Sequence, residues 1–212
     1  MSSWFCLSDA VLLETDALLA VEKPAGLLSV PDRWDKAQEN LMGLLQTERP
    51  DQYLANVHRL DRDTTGVFLV AKTRDALRDL VRQFRERQTR QLYVALVAGA
   101  FSHGDRELVI DLPIGAHSRL PGHSRIDHKH GQPARSTVRT LEHFSGYTLL
   151  EVETESVRLH QVRVHLQAIG HPLMGDVAYG GSPLRNPDRH DCDVSRLRPV
   201  KPAIPAEVRR LF

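Results

Sequence analysis

Cysteine is scarce in this chain. Cys6 and Cys192 lie near opposite ends of 212 residues, so neither a disulfide framework nor a cysteine-based metal motif is built into it. A reducing cytoplasm is the simplest compartment. No apolar run approaches the ~20 residues of a membrane-spanning helix. Residues 1–10 have neither a basic start nor a long apolar core, so no secretion signal is expected. An excess of one charge is also lacking. The chain has 28 Lys and Arg against 27 Asp and Glu, so no whole-molecule field announces a nucleic-acid partner, and any positive surface must be local. Internal repeats and a dividing linker are absent too. The length suits one generous domain, expected over residues 1–212 with a polar, irregular tail from about residue 185.

What is present is a dense polar stretch, His58-Arg59-Leu60-Asp61-Arg62-Asp63-Thr64-Thr65-Gly66. It runs straight into Val67-Phe68-Leu69-Val70-Ala71, which has the length and side chains of a buried strand. Charges packed against a core strand are costly unless they are paired or used. A solvated loop before a strand is the plainer reading.

Upstream, Val11–Glu14 and Leu18–Val21 read as short strands around Thr15-Asp16-Ala17. Lys23-Pro24-Ala25-Gly26 opens a shaped loop that ends at Pro31. Leu41, Leu44 and Leu45 have helical spacing within Asn40–Gln46, and Pro50 closes that helix. Downstream, Thr73 is a plausible N-cap with Asp75 in the first turn. Leu77, Leu80, Val81 and Phe84 form an apolar stripe. The other faces carry Arg74, Arg78, Arg82, Arg85 and Arg87 among acids, which fits either a solvated helix or an RNA-facing one.

Gln91–Val97 reads as a buried strand ended by Gly99, with the hydroxyl of Tyr93 in its middle. Residues 117–130 crowd His117, Arg119, His123, Arg125, His128, Lys129 and His130 together against Asp127 alone. Their spacing fits no standard metal-ligand pattern. A basic surface hairpin touching phosphates fits better. Ser136–Leu141 and Tyr147–Glu153 read as a hairpin across Ser145-Gly146. His190-Asp191-Cys192-Asp193 has metal-ligand residue types in one short segment, and a polar tail is the simpler reading.

Arg158–Ile169 is helical by pattern, with Leu159, Val162, Leu166 and Ile169 as its stripe, Gly170 as the residue past its end and Pro172 as its stop. At 100° per residue Arg163 falls on the border of that stripe. A guanidinium there needs a carboxylate or several carbonyls. Asp61 is the candidate partner, and snorkelling to solvent is the alternative. Met174-Gly175-Asp176-Val177-Ala178-Tyr179-Gly180-Gly181 lacks the strand-before, helix-after context of a phosphate loop.

Five separated pieces resemble the RluA-type pseudouridine synthase family. His58-Arg59-Leu60-Asp61 with Thr64-Thr65-Gly66 resembles its H-R-L-D-x-x-T-S-G signature. Gln91-Leu92-Tyr93-Val94-Ala95 resembles K-x-Y-x-A, and Arg158-Leu159-His160-Gln161-Val162-Arg163-Val164-His165-Leu166 resembles G-R-T-H-Q-I-R-x-H-L after its first residue. His171-Pro172-Leu173-Met174-Gly175-Asp176 resembles H-P-(I/L)-x-G-D. Lys23-Pro24-Ala25-Gly26 fits K-P-x-G. The order is right from the first tenth of the chain to past four-fifths of it. The resemblance implies isomerisation of uridine to pseudouridine in structured RNA, ribosomal or transfer, with no cofactor, no metal, no membrane and no obligate protein partner, by a monomer. Asp61 matches the nucleophile, Tyr93 the tyrosine lying against the target base, and Arg163 the arginine paired with the catalytic carboxylate. Attack on the sugar, attack on the base and assisted elimination to a glycal are all compatible with that aspartate. Arg59 matches an arginine that helps replace the flipped nucleotide. His58, Thr65, His160 and Gln161, in the same motifs, are RNA- or substrate-binding candidates, and His58 also reads as a residue that orders the loop.

The chemistry suits these residue types. A carboxylate nucleophile must stay ionised, and a neighbouring guanidinium favours that form. The base must leave its stack before C1′ can be reached. Departures are Gln91 and Gln132 where the family usually has lysine, Val157 for glycine, Leu159 for threonine, Thr65 for serine, and no late L-H-A motif. They bear on substrate choice more than on chemistry. No separate N-terminal RNA-binding domain is expected. Two other functions are weighed: an RNA-binding or chaperone protein of the same fold without catalysis, and a glycosidase-like hydrolase, which normally needs a second carboxylate. The expected fold class is α+β, with a central mixed, mostly antiparallel sheet flanked by helices and loops around an RNA cleft.

Overall fold

The computed structural model describes residues 5–32, 35–101 and 107–182. The residue 185–212 tail and the His190–Asp193 segment lie outside them. In chain order the elements are α1 (Leu7–Ala10), β1 (Val11–Glu14), β2 (Leu18–Lys23), α2 (Leu41–Glu48), β3 (Ala55–Asn56), β4 (Gly66–Ala71), α3 (Arg74–Arg85), β5 (Gln91–Ala98), β6 (Leu108–Asp111), β7 (Ile114–Ala116), β8 (Ser124–Ile126), β9 (Arg135–Phe144), β10 (Tyr147–Thr154) and α4 (Gln161–Ala168), with a 3₁₀ turn at Val177–Tyr179.

The α+β class holds. In place of one central mixed sheet there are two four-stranded sheets, ordered β1-β2-β4-β3 and β5-β10-β9-β6, and a small β7-β8 hairpin. Every strand ladder is antiparallel. The first sheet packs Leu19, Val21, Phe68 and Val70 against Leu41 and Leu45 of α2. The Asn40 side chain accepts the Gly43 N–H at 2.9 Å and caps that helix. The second sheet buries Ala95, Val97, Val138, Leu150 and Val152 against Leu166 of α4. A third cluster, of Ile114, Ala134, Val164 and Tyr179, ties the β7-β8 hairpin to α4 and the 3₁₀ turn. Helix α4 thus serves two clusters, through Leu166 and Val164.

Two helices depart from their sequence patterns. Helix α4 begins at Gln161 rather than Arg158, because His160 turns into the left-handed region at φ 58°. Leu159 is consequently outside the helix and 42% exposed, and the buried face is Gln161, Val164, His165 and Leu166. In α3 the Thr73 cap is as expected, accepting the Ala76 N–H at 3.1 Å. Its apolar stripe is only half covered, with Val81 45% exposed. Arg78 pairs with Asp75, and Arg82 with Asp79 and Glu86, so these cations are engaged by acids of their own helix.

Candidate active site

The loop carrying Asp61 is stitched to the loop that follows β2. Lys23 is fully buried, and its ammonium donates to the carbonyls of Pro24 at 2.7 Å, Leu27 at 2.7 Å and Arg62 at 2.8 Å. Burial pulls its pKa down to about 8, against the opposing pull of Asp63 and Asp61. All three ammonium hydrogens are used, which explains how a cation survives there. The hydroxyl of Ser29 donates to the Leu60 carbonyl at 2.7 Å and accepts the Leu60 N–H at 3.0 Å. Gly26 N–H donates to the Arg62 carbonyl at 3.0 Å, with Gly26 at φ 82°, a conformation that favours glycine. The Thr64 N–H closes a turn onto the Asp61 carbonyl at 3.1 Å. Leu60 and Arg62 are thereby fixed through their backbones, and Asp61 between them is left partly exposed.

Across from it, α4 presents Arg163. Its Nη1 lies 3.6 Å from Asp61 Oδ2, so the juxtaposition expected from helix spacing is present. Asp61 is not its main partner. Arg163 donates from Nε and Nη2 to the two carboxylate oxygens of Asp176, at 2.7 and 2.8 Å. This fork geometry is the strong form of the pair. The guanidinium also lies 4.6 Å over the Tyr179 ring, a cation–π contact. Burial opposes the charge on Arg163, but Asp176, Asp61 and Tyr179 together outweigh it and raise the pKa. Arg163 therefore stays a fixed cation that offers its free edge to Asp61.

His160 brings Nε2 to 3.9 Å from the same Asp61 oxygen. Its left-handed backbone costs about 1–3 kcal/mol, which the surrounding hydrogen bonds have to offset. Tyr93, on β5, shares a sheet face with buried Ala95 and Val97. Burial raises its pKa, and the charge of Asp61 raises it further, so Tyr93 holds its proton at neutral pH. That proton is donated to Oε1 of Gln91 at 3.3 Å.

The other sequence candidates divide. Arg59 and Thr65 are exposed beside Asp61 in the chain, and no side-chain partner engages Arg59 among the described residues. His58 instead turns inward. Its Nε2 accepts the Leu69 N–H at 2.9 Å, and its ring lies 5.5 Å from Phe84 and 5.3 Å from Phe68. Burial lowers its pKa to about 4, so it is a neutral acceptor that orders the loop. Gln161 is buried as well. Its Oε1 accepts from Arg158 N–H and the Ser156 hydroxyl, and its amide donates to the Arg135 carbonyl and the Ser136 hydroxyl. With both ends of its amide committed, it fastens the start of α4 to the second sheet and reaches no solvent partner. The expected basic hairpin is present as β7-β8. Among the described residues no three His, Cys, Asp or Glu side chains form a group able to hold a metal. No described helix is long and apolar enough to cross a membrane.

Sequence reasoning placed Asp176 at the end of the H-P-(I/L)-x-G-D match without giving it a role, and missed Tyr179. Both sit in the glycine-rich turn, where the spacing Asp176-x-x-Tyr179 was the available signal, since a tight turn brings such residues together. Asp176 also bears on the hydrolase alternative. It is the acid on the far side of Arg163, both its oxygens are taken, and its side chain is 9% exposed. It is not a free proton donor.

The fold thus brings together a partly exposed aspartate on stitched loops, an arginine anchored behind it and a tyrosine on a sheet strand, an arrangement suited to a carboxylate nucleophile. Residues 17–168 match the family described as RNA pseudouridylate synthase, and the chain belongs to that family. It is 41% identical over 173 residues to the ribosomal large subunit pseudouridine synthase D of Nitrosomonas europaea, covering 80% of this chain and 49% of that protein. It is 37% identical over 176 residues to the dual-specificity RNA pseudouridine synthase RluA of Escherichia coli K12, covering 82% of this chain and 78% of that protein. The chain therefore spans about half the length of the first relative. Among solved structures, the human RNA pseudouridylate synthase domain containing 1 superposes with a TM-score of 0.67 at 27% identity, over 81% of this chain and 69% of that one.

Proposed function

We propose that this chain, as one catalytic domain over residues 1–212, isomerises specific uridines of structured RNA to pseudouridine, with Asp61 as nucleophile. The observation that carries the reading is the Asp61–Arg163 approach of 3.6 Å, with Arg163 fixed from behind by Asp176. An ionised carboxylate beside a permanent cation is a nucleophile that does not need prior deprotonation. The glycosidic bond to C1′ breaks, the uracil turns, and a C–C bond forms from C5 to C1′. The C5 hydrogen then leaves as a proton and N1, freed from C1′, takes one up, and any bond made to Asp61 on the way breaks as C5 bonds to C1′, so the product is an isomer of the substrate. Atoms balance without a co-reactant.

In this reading the target nucleotide is flipped out of its stack. Arg59 fills the space it leaves, Thr65 lines the rim, and Tyr93 lies against the base. Tyr93 is protonated at rest, so it first donates a hydrogen bond, and it can take the C5 proton only after giving up its own. Ribosomal RNA is the substrate class that one relative's name carries, and transfer RNA, with a monomer working in the cytoplasm, belongs to the expectation from the sequence motifs. The test uses RNA carrying tritium at uridine C5, prepared from cells that lack this protein. Release of label by the wild type and none by Asp61→Asn is expected. Absence of release from any total RNA so prepared overturns the proposal.

A further inference from the structure

His160 meets two groups, and the hydrogen-bond arithmetic around it fixes where its proton lies. The Tyr179 oxygen accepts the Ser124 N–H at 2.9 Å. That backbone group can only donate. The same oxygen lies 2.7 Å from Nδ1 of His160. Tyr179 is 4% exposed, and its hydroxyl has no third partner among the described residues. If His160 donated from Nδ1, the tyrosine oxygen would accept twice and its own buried O–H would have no acceptor, which is the costly arrangement. With Tyr179 donating to Nδ1, every group is satisfied. The imidazole proton is then on Nε2, the nitrogen 3.9 Å from Asp61 Oδ2.

We propose that Tyr179 locks His160 in the Nε2–H tautomer, making it the second positioning residue, beside Arg163, that holds the Asp61 carboxylate for reaction. The inference rests on the pseudouridine synthase reading for its catalytic meaning, while the tautomer itself does not. The groups facing His160 are Asp61, Arg163, His123, Asp176 and Tyr179. Burial, with Arg163 and His123, lowers its pKa against the pull of Asp61 and Asp176, which keeps the ring neutral and the tautomer meaningful. The backbone agrees: His160 is one of two non-glycine residues at positive φ among the described residues, and that turn aims the ring between Tyr179 and Asp61.

There is a consequence for the basic hairpin. Ser124 is the first residue of β8, in the hairpin whose loop carries Arg119, and His123 packs at its base, 6.2 Å from the His160 ring and 5.9 Å from that of Tyr179. A hairpin displaced from this seat withdraws the Ser124 N–H, frees Tyr179 and releases the tautomer. Seating of the hairpin and readiness of Asp61 are thus coupled through one hydroxyl.

The test is nitrogen NMR of the full chain labelled with 15N-histidine, with the His160 signals assigned from His160→Gln. The wild type is expected to show a neutral ring protonated at Nε2. Tyr179→Phe keeps the ring over Arg163 and removes only the hydroxyl. It is expected to populate both tautomers and to lower kcat about tenfold at unchanged KM, the loss of one hydrogen bond's worth. His160→Gln, whose amide can donate from a place near Nε2, should retain more activity than His160→Leu. An Nδ1–H tautomer in the wild type, no change in Tyr179→Phe, or equal activity of His160→Gln and His160→Leu overturns the inference. If no RNA is turned over at all, the function reading fails, and the NMR result alone upholds or overturns the tautomer lock.

Discussion

Arg163 serves two acids unequally. Asp176 takes two short hydrogen bonds, and Asp61 receives only the remaining edge at 3.6 Å. A nucleophile gripped as tightly as Asp176 would have its lone pairs occupied. Asp176→Asn preserves the shape of the anchor and removes its charge. Activity is expected to fall about 100-fold, since small misplacements of a positioned group cost that much, while RNA affinity stays nearly constant. Single-turnover kinetics with binding titrations check this. His58 gives a prediction about stability. Its folded pKa of about 4 is below the ordinary 6.5, so the unfolded chain binds more protons between those values. The stability it contributes is complete above pH 6.5 and is lost as pH falls toward 4. Wild type should lose about 1–2 kcal/mol more than His58→Gln between pH 7 and 5, as read by urea unfolding at each pH. These roles were unequally legible beforehand. The border position of Arg163 on its helix announced a need for an acid, but spacing alone could not separate Asp61 from Asp176. The direction in which His58 and Gln161 point depends on hydrogen bonds to distant backbone, which no local pattern encodes.

At the scale of elements, the site is a meeting of loops whose geometry is set by buried polar groups. Lys23 closes β2 and holds the Arg62 carbonyl. Lys23→Met would leave the Pro24 and Leu27 carbonyls without their ammonium donor and the Arg62 carbonyl with the Gly26 N–H alone, and a loss of about 2–4 kcal/mol of stability is expected, with reduced activity from a loosened Asp61 loop. Thermal and chemical unfolding measure the first, and tritium release the second. Strands and caps here were readable because their signals are local: alternating apolar residues for β9 and β10, Thr73 and Asn40 at helix starts, Gly146 in the hairpin turn. The onset of α4 was misread by three residues because His160 leaves the helical region to face Tyr179, a tertiary demand that overrides a helical pattern.

For the whole molecule, near-neutral net charge means that RNA affinity must come from local cations. The β7-β8 loop offers Arg119, which has no ion-pair partner among the described residues, and Lys129 lies just beyond β8 in the same condition. Replacing either by alanine should weaken RNA binding across sequences and reduce the slope of log K against log salt by about 1, with kcat at saturating RNA unchanged. Filter binding across a salt series reads this. The division into two four-stranded sheets was not legible as such, because pairing between distant strands leaves no mark on either strand. Loops and a helix borne by the two sheets place Asp61 opposite Arg163, the pair proposed above to make pseudouridine. The most direct measurement is a map of pseudouridine in ribosomal and transfer RNA from cells lacking the protein, complemented with wild type or with Asp61→Asn. One or a few sites that are absent in the deletion, restored by wild type and not by Asp61→Asn are predicted. Maps that are identical in all strains, or restoration by Asp61→Asn, would contradict the account.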